Sequence, residues 1–197
     1  MPKGRKILVA VPTAGGLHQM TAAIVASLAR RSDVELAIIA GRPADYVRNA
    51  VIKKLLDSSG LSHVFFLDSD MEPPLDCLDR LLAVNATIVT GAYPILMPDG
   101  LRWALANKDA DRRYRLLERL DSTTEPFEVD ACGAGCLFIR RDVFDKVKWP
   151  WFRWVENPDG SQISEDIYFS CKCKEAGLRV TVETQVLCNH YKSMNLT

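Results

Sequence analysis

Through the first half of the chain, short unbroken apolar runs alternate with longer stretches in which apolar residues recur at helical spacing. Lys6 to Val11 is apolar and partly β-branched and predicts a strand, broken by Pro12-Thr13-Ala14-Gly15-Gly16. Gln19 to Arg31 predicts a helix with Met20, Ala23, Ile24, Ser27 and Leu28 inward. Val34 to Ala40 predicts a second strand, closed by Gly41-Arg42-Pro43. Asp45 to Ser58 predicts a second helix, with Asp45 as N-cap and Val47, Ala50, Val51, Lys54 and Leu55 on one face, the lysine stem snorkelling. The run Val64 to Leu67 carries no polar residue and reads as a strand buried on both faces. It stops at Asp68. Leu75 to Ala83 predicts a short helix with Leu75, Leu78, Leu81 and Leu82 inward, and Ile88 to Gly91 a further strand. Strand and helix in this alternation predict an α/β domain with a mainly parallel sheet, covered by helices on both faces.

The rhythm fails between Ile95 and Glu128. Met97-Pro98-Asp99-Gly100 is a turn signal and Arg102 to Ala106 a strand candidate. The arginine-rich stretch Asp109 to Leu120 fits either a charged helix or a strand of a small side sheet. Phe127 to Ala131 and Leu137 to Ile139 predict strands on either side of the small-residue stretch Cys132-Gly133-Ala134-Gly135-Cys136. Trp149-Pro150-Trp151-Phe152-Arg153-Trp154 fits a sugar-stacking platform and a packed loop equally well. Ser164 is a fair N-cap for a helix Ile167 to Ala176, ended by Gly177. Arg179 to Val182 returns as a strand, and Leu187-Cys188-Asn189-His190 follows a final strand position.

Composition narrows the class. At 197 residues the chain fits one domain with a full core. Twenty-five basic residues balance twenty-five acidic ones, which excludes the charge footprint of a general nucleic-acid binder. The apolar run after the basic start, Ile7 to Val11, is too short for a signal-peptide core, and no segment reaches membrane-spanning length. The six cysteines lack zinc spacing and read as reduced core residues of a cytoplasmic protein.

The candidate chemistry starts at the end of the buried strand, in Asp68-Ser69-Asp70. Ligands of open α/β sheets sit beyond the carboxyl ends of strands. Two carboxylates two residues apart can lean to one side, where they repel unless a cation lies between them. A hard divalent ion takes carboxylate and phosphate oxygens together, so this pair fits a metal–diphosphate site as well as a solvated turn. Elsewhere each candidate has a plain structural explanation. Pro12 to Gly16 is also an ordinary strand-to-helix turn, with neither a dinucleotide fingerprint nor a P-loop. Arg48 and Asn49 fit a solvated helix face, and Glu165 and Asp166 favour a helix dipole. His190 is a lone imidazole beyond the final strand, where it can fold back toward the aspartates.

Three separated features agree in order: Phe66-Leu67-Asp68-Ser69-Asp70, Gly133-Ala134-Gly135-Cys136-Leu137-Phe138-Ile139-Arg140-Arg141, and Ser164-Glu165-Asp166 ahead of a helix, a strand and Asn189-His190. Together they resemble the GT-A glycosyltransferases, in particular compact family 2-like enzymes of bacteria and phages, over about Ile7 to Tyr191. The resemblance implies a Rossmann-like GT-A domain with a small antiparallel side sheet. Its nucleotide-binding half would be about 1–93 and its acceptor and catalytic half about 94–197. It implies a hexosyltransferase using Mn²⁺ or Mg²⁺ and a UDP- or GDP-sugar donor. The acceptor could be a glycan, a lipid-linked sugar, a protein or a modified nucleobase. Asp68, Asp70 and His190 would hold the metal. Pro12, Thr13, Gly15, Arg48, Asn49, Asp68 and Ser69 would line the donor nucleotide, with Gly133 and Gly135 under the sugar. Asp166 would be the catalytic base of an inverting enzyme, with Glu165 beside it, or would orient the acceptor or the sugar in a retaining one. Ala14-Gly15-Gly16 departs from the family, many of whose members carry a charged or aromatic residue there. Two alternatives compete: a non-catalytic nucleotide- or glycan-binding module, and a sugar-phosphate nucleotidyltransferase. The second needs a basic Gly-rich loop after the first strand, and Pro12 to Gly16 has no basic residue.

Overall fold

A computed structural model describes residues 6–41, 43–111, 113–120 and 125–192. The first half runs β1 (Lys6–Thr13), α1 (Gln19–Ala29), β2 (Val34–Ala40), α2 (Ala44–Asp57), β3 (Leu61–Leu67), β4 (Met71–Glu72), α3 (Cys77–Ala83) and β5 (Ile88–Ala92). A hairpin follows, β6 (Pro94–Met97) and β7 (Gly100–Trp103), then β8 (Leu105–Lys108), β9 (Tyr114–Leu116), β10 (Phe127–Val129) and β11 (Ala131–Cys132). The chain ends with β12 (Cys136–Arg140), α4 (Val143–Lys146), β13 (Val155–Glu156), β14 (Gln162–Ile163), α5 (Glu165–Glu175), β15 (Val180–Leu187) and β16 (Asn189–His190).

Seven strands form the central sheet in the order β10-β15-β5-β12-β3-β1-β2. Five run the same way; β12, between β3 and β5, and the edge strand β10 oppose them. Alternation along the strands divides the core into two layers. Leu8, Ala10, Val64 and Phe66 point to one face with Val51, Ile52 and Leu55 of α2 and Phe169 of α5. Ile7, Val9, Phe65 and Leu67 point to the other, with Ile24, Val25 and Leu28 of α1 and Leu78 and Leu81 of α3. Val64, Phe65, Phe66 and Leu67 are all 0% exposed, so β3 is the strand covered on both sides. Each such side chain contributes about 1.5–3 kcal/mol by leaving water.

Several local expectations shift. In α1 the buried face is Thr21, Ile24, Val25 and Leu28, while Met20, Ala23 and Ser27 face outward. Pro43, not Asp45, precedes α2 as its cap, and the Lys54 ammonium pairs with Glu35 at 2.8 Å. The helix after the prolines begins at Cys77, leaving Leu75 exposed. Arg102 to Ala106 is not one strand. Ala104 breaks it, because its N–H donates to Tyr93 O and its carbonyl accepts from Gly133 N–H, so β7 and β8 join different sheets. Phe127 to Ala131 breaks likewise at Asp130, whose carboxylate accepts the Lys108 N–H. Of the two readings of Asp109 to Leu120 the strand holds: β9 pairs with β8, and Arg112 lies outside the described residues. Gly177 does end α5. At φ +72° it closes a Schellman turn, Leu178 N–H to Cys173 O and Gly177 N–H to Lys174 O. All six cysteines are free thiols.

This topology gathers loops at one edge. β1, β2 and β3 end there at Thr13, Ala40 and Leu67. Being antiparallel, β12 starts there, with Cys136 opposite Leu67. β15 reaches Leu187 beside Ala92, and β16 then turns back to pair His190 with Met71.

Candidate active site at the carboxyl edge

The Asp68-Ser69-Asp70 loop is fixed by its backbone from three sides. The Asp68 N–H donates to Gly135 O at 2.9 Å, Ser69 O accepts from His18 N–H at 2.8 Å, and Asp70 O accepts from Tyr191 N–H at 2.9 Å. The two carboxylates then diverge.

Asp68 turns to Arg48. That guanidinium, only 4% exposed, donates through Nη2 to both Asp68 oxygens, at 2.8 and 3.0 Å. Its Nε donates to Glu165 Oε1 at 3.3 Å and its Nη1 to Ala134 O, and it lies over the Phe66 ring. Arg48 therefore clips α2 to the end of β3 and the start of α5. Burial works against its charge, but Asp68 and Glu165 outweigh that and raise its pKa. Burial pushes the Asp68 carboxyl up, with Arg48 opposing. Glu165 is also pushed up by burial and by Asp166 beside it, against the pull of Arg48. Asn49 is likewise occupied: its amide donates to Phe152 O and accepts from the Trp151 and Phe152 N–H groups.

Asp70 turns the other way, to the last residues of the chain. Its Oδ2 lies 3.4 Å from His190 Nε2 and 3.1 Å from Lys192 Nζ. Burial pushes this carboxyl up, but the hydrogen bonds from His190 and Lys192 prevail and hold it below the usual range. His190 Nδ1 meets the Pro94 carbonyl at 2.8 Å. A carbonyl only accepts, so Nδ1 carries a proton toward Pro94 and Nε2 is the ring atom that faces Asp70, able to donate to it as an imidazolium or to ligate a cation as a neutral ring. Two donors on one first-row divalent ion, with bonds of about 2.1 Å at angles of about 90–110°, lie about 3.0–3.4 Å apart. The Nδ1 contact is the outer-shell support that orients a ligating imidazole. Among the described residues no group of three or more His, Cys, Asp or Glu converges on one point. Asp70 and His190 would supply two ligands of such a shell, with phosphate and water to complete it.

Between the β1 loop, the end of β2 and Asp68 to Asp70 lies a cleft of about 380 Å³. Pro12, Thr13 and Ser69 line it. The Thr13 hydroxyl staples the loop, donating to Gly16 O at 2.7 Å and accepting from the Gly15 and Gly16 N–H groups. A Cβ on Gly15 would meet open space. The far wall includes Trp154, 49% exposed, which the sequence marked only as part of an aromatic stretch. Tyr191 was also not singled out: it stacks on His18 with centroids 3.8 Å apart and donates its hydroxyl to Glu72. Both rings come from segments whose approach only the tertiary fold creates.

Asp166 opens onto a second cavity, of about 410 Å³. Ser164 is the N-cap of α5 by position, yet its hydroxyl donates to Asp166 Oδ1 instead of capping a helix N–H. The Ile167 N–H donates to the same oxygen at 2.8 Å. The floor is Tyr93 with Gly133. A Cβ on Gly133 would stand 2.0 Å from the Tyr93 hydroxyl, and one on Gly135 would stand 2.8 Å from Met71 Cε. The Tyr93 hydroxyl in turn accepts the Gly135 N–H at 3.1 Å. The glycines are there to admit the tyrosine.

No protein-family model matches the sequence, and no curated protein matches it. Solved structures do. A197 from STIV superposes with a TM-score of 0.65 at 19% identity, over 95% of this chain and 86% of that one. GalNAc-T7, solved with UDP, GalNAc and Mn²⁺, superposes with a TM-score of 0.68 at 12% identity over 99% of this chain. The fold is that of the GT-A glycosyltransferases. This chain spans 45% of the GalNAc-T7 structure. Among the described residues no helix is long and apolar enough to cross a membrane.

Proposed function

We propose that the protein is a divalent-metal-dependent glycosyltransferase taking a sugar from a UDP- or GDP-sugar. The observation that carries this reading is the pairing of His190 Nε2 with Asp70 at the carboxyl edge of a GT-A sheet. The donor lies in the cleft of Pro12, Thr13, Ser69 and Trp154, formed by the nucleotide-binding half, about residues 1–93, and closed by Trp154. Trp154 offers a ring face to the nucleobase. Asp70 and His190 hold Mn²⁺ or Mg²⁺, a mixed oxygen and imidazole set that suits Mn²⁺. The bound ion supplies charge neutralisation at the diphosphate leaving group. Arg48 keeps Asp68 and Glu165 in place. Asp166, free of Arg48 and open to the second cavity, accepts the proton of the acceptor hydroxyl as that oxygen attacks the sugar carbon.

The test is thermal unfolding with UDP or GDP, with and without Mn²⁺, in the natural chain and in Asp70→Asn. A ligand of the folded state raises Tm by mass action. One nucleotide should raise it only with metal, and Asp70→Asn should abolish the rise. An Asp70→Asn protein that keeps the metal-dependent rise and transfers sugar overturns the assignment.

A further inference from the structure

The cavity beyond Asp166 is polar at one end only. Gln162, Ser164 and Asp166 cluster where β14 meets α5. Opposite them the wall is apolar, with Ile95, Ala104 and Leu116 among its residues. The two tyrosines do not change this. The Tyr93 hydroxyl already accepts the Gly135 N–H, and the Tyr114 hydroxyl lies 3.1 Å from Cys171 Sγ. Among the described residues no Lys or Arg lines the cavity. Met97, two residues on from Ile95 in β6 and so on the same face, carries the apolar lining toward solvent.

These features select among acceptors. A wholly polar sugar seated here would bury hydroxyls against Ile95, Ala104 and Leu116 with nothing to bond them, and an unpaired buried hydroxyl is costly. An anionic acceptor would meet Asp166 with no Lys or Arg among the lining residues to pair with it. A cavity of this volume accepts a body the size of one ring or a short alkyl chain. Building on the donor reading above, we propose that the acceptor is a neutral amphipathic alcohol, its apolar body on the Ile95–Leu116 wall and its hydroxyl at Asp166. The hydroxyl oxygen bonds to the donor's anomeric carbon as the carbon–phosphate oxygen bond breaks. The electron pair leaves with the nucleoside diphosphate, and the hydroxyl proton passes to the Asp166 carboxylate.

The probes are octyl β-glucoside, kept below micelle formation, and methyl β-glucoside, which differ only in the apolar body. Saturation-transfer NMR on the full chain, without donor, reads binding alone. Octyl protons should receive saturation and methyl glucoside should not. Leu116→Ser should erase the octyl signal, and Met97→Ser, at the more exposed end of the lining, should weaken it, both with the natural far-ultraviolet spectrum. Equal binding of the two glucosides overturns the proposal, as does an octyl signal that survives Leu116→Ser. Transfer from UDP- and GDP-sugars with Mn²⁺ then separates the two levels. A preference of at least tenfold in kcat/KM for the octyl acceptor supports the proposal. Equal or better transfer to methyl glucoside refutes it while leaving the donor reading intact. Selective octyl binding with no turnover of any donor supports the apolar site and counts against the transferase.

Discussion

Two carboxylate pairs, Asp68 with Asp70 and Glu165 with Asp166, sit at different loops of the same sheet edge and are divided in the same way. Arg48 takes one member of each, Asp68 and Glu165, and holds it inward. The other member of each faces a cavity. They differ in what restrains that free member. Asp70 is met by side chains from the far end of the chain, His190 and Lys192. Among the described residues the Asp166 carboxylate takes its hydrogen bonds from its own helix start, the Ser164 hydroxyl and the Ile167 N–H. On the proposed function, the first arrangement would poise a carboxylate for a cation, and the second would aim one oxygen and leave the rest of the group for a substrate. Sequence proximity is thus a poor guide to shared work: neighbours in each pair do different jobs, and the two inward members are joined across the fold.

The sharpest way to break this division is to neutralise both members of the second pair separately. Asp166→Asn should lower kcat by about 10²–10⁴ with Tm little changed, since a positioned base contributes about that much. Glu165→Gln should do the reverse: an unfolding free energy lower by about 1–3 kcal/mol, from a weakened charge-assisted bond, and a modest change in kcat. Steady-state rates and urea titration on both variants decide it. Equal effects would dissolve the distinction.

Arg48 is next. Arg48→Ala strands two inward carboxylates, which should lower stability by about 3–5 kcal/mol in urea. Replacing the set by neutral groups of similar size, Arg48→Met with Asp68→Asn and Glu165→Gln, should recover most of that loss, because no charge remains uncompensated. A triple variant as unstable as Arg48→Ala would show that the guanidinium contributes by packing on Phe66 rather than by pairing.

How much of this was legible in the sequence follows from which interactions are local. The strands around β3 and the turn at Gly177 come from short-range signals and appear at the expected positions, whereas α2 buries Arg48, Asn49 and Ile52 where Ala50 and Lys54 were expected. The antiparallel insertion of β12 was invisible, because an apolar run such as Leu137 to Ile139 carries no direction. The break at Ala104 depends on Tyr93 and Gly133, both distant in sequence. Arg48 looked like a solvated residue because nothing in α2 shows that two carboxylates arrive from β3 and α5. The convergence of His190 on Asp70 could be imagined from chain order, but only the β16–β4 pairing supplies its geometry.

The opposite end of β3 provides a control for acid effects on the comparison. Burial, with Arg140 adding to it, lowers the pKa of His63 to about 4, and its ring stacks on Phe138. Above pH of about 6.5 the imidazole is neutral folded or unfolded and contributes no slope. Between there and about pH 4 only the unfolded chain takes the proton, so stability falls as pH falls. Because the ring is half-buried, the total loss should stay at about 2 kcal/mol, below the full linkage value. Denaturant titrations at pH 7 and 4.5 should show this slope reduced in His63→Gln. If the variant keeps the full slope, acid sensitivity belongs to the carboxylate pairs instead.

The smallest effect tests what restrains Asp70. Lys192 Nζ and His190 Nε2 both approach the same oxygen, Oδ2, so an incoming divalent ion must displace the ammonium from it. Lys192 is well exposed, and exposed ion pairs are weak and salt-screened. Lys192→Ala should therefore lower the Mn²⁺ concentration for half-maximal nucleotide-dependent stabilisation by about two- to fivefold at low salt, with the gain shrinking toward 1 M NaCl. Asp166 has no such competitor, so its variants should show no salt-dependent change in metal requirement. A Lys192→Ala protein that needs more Mn²⁺ would mean that the ammonium helps to hold the diphosphate. His190 to Lys192 would then belong to the donor site rather than compete with its ion.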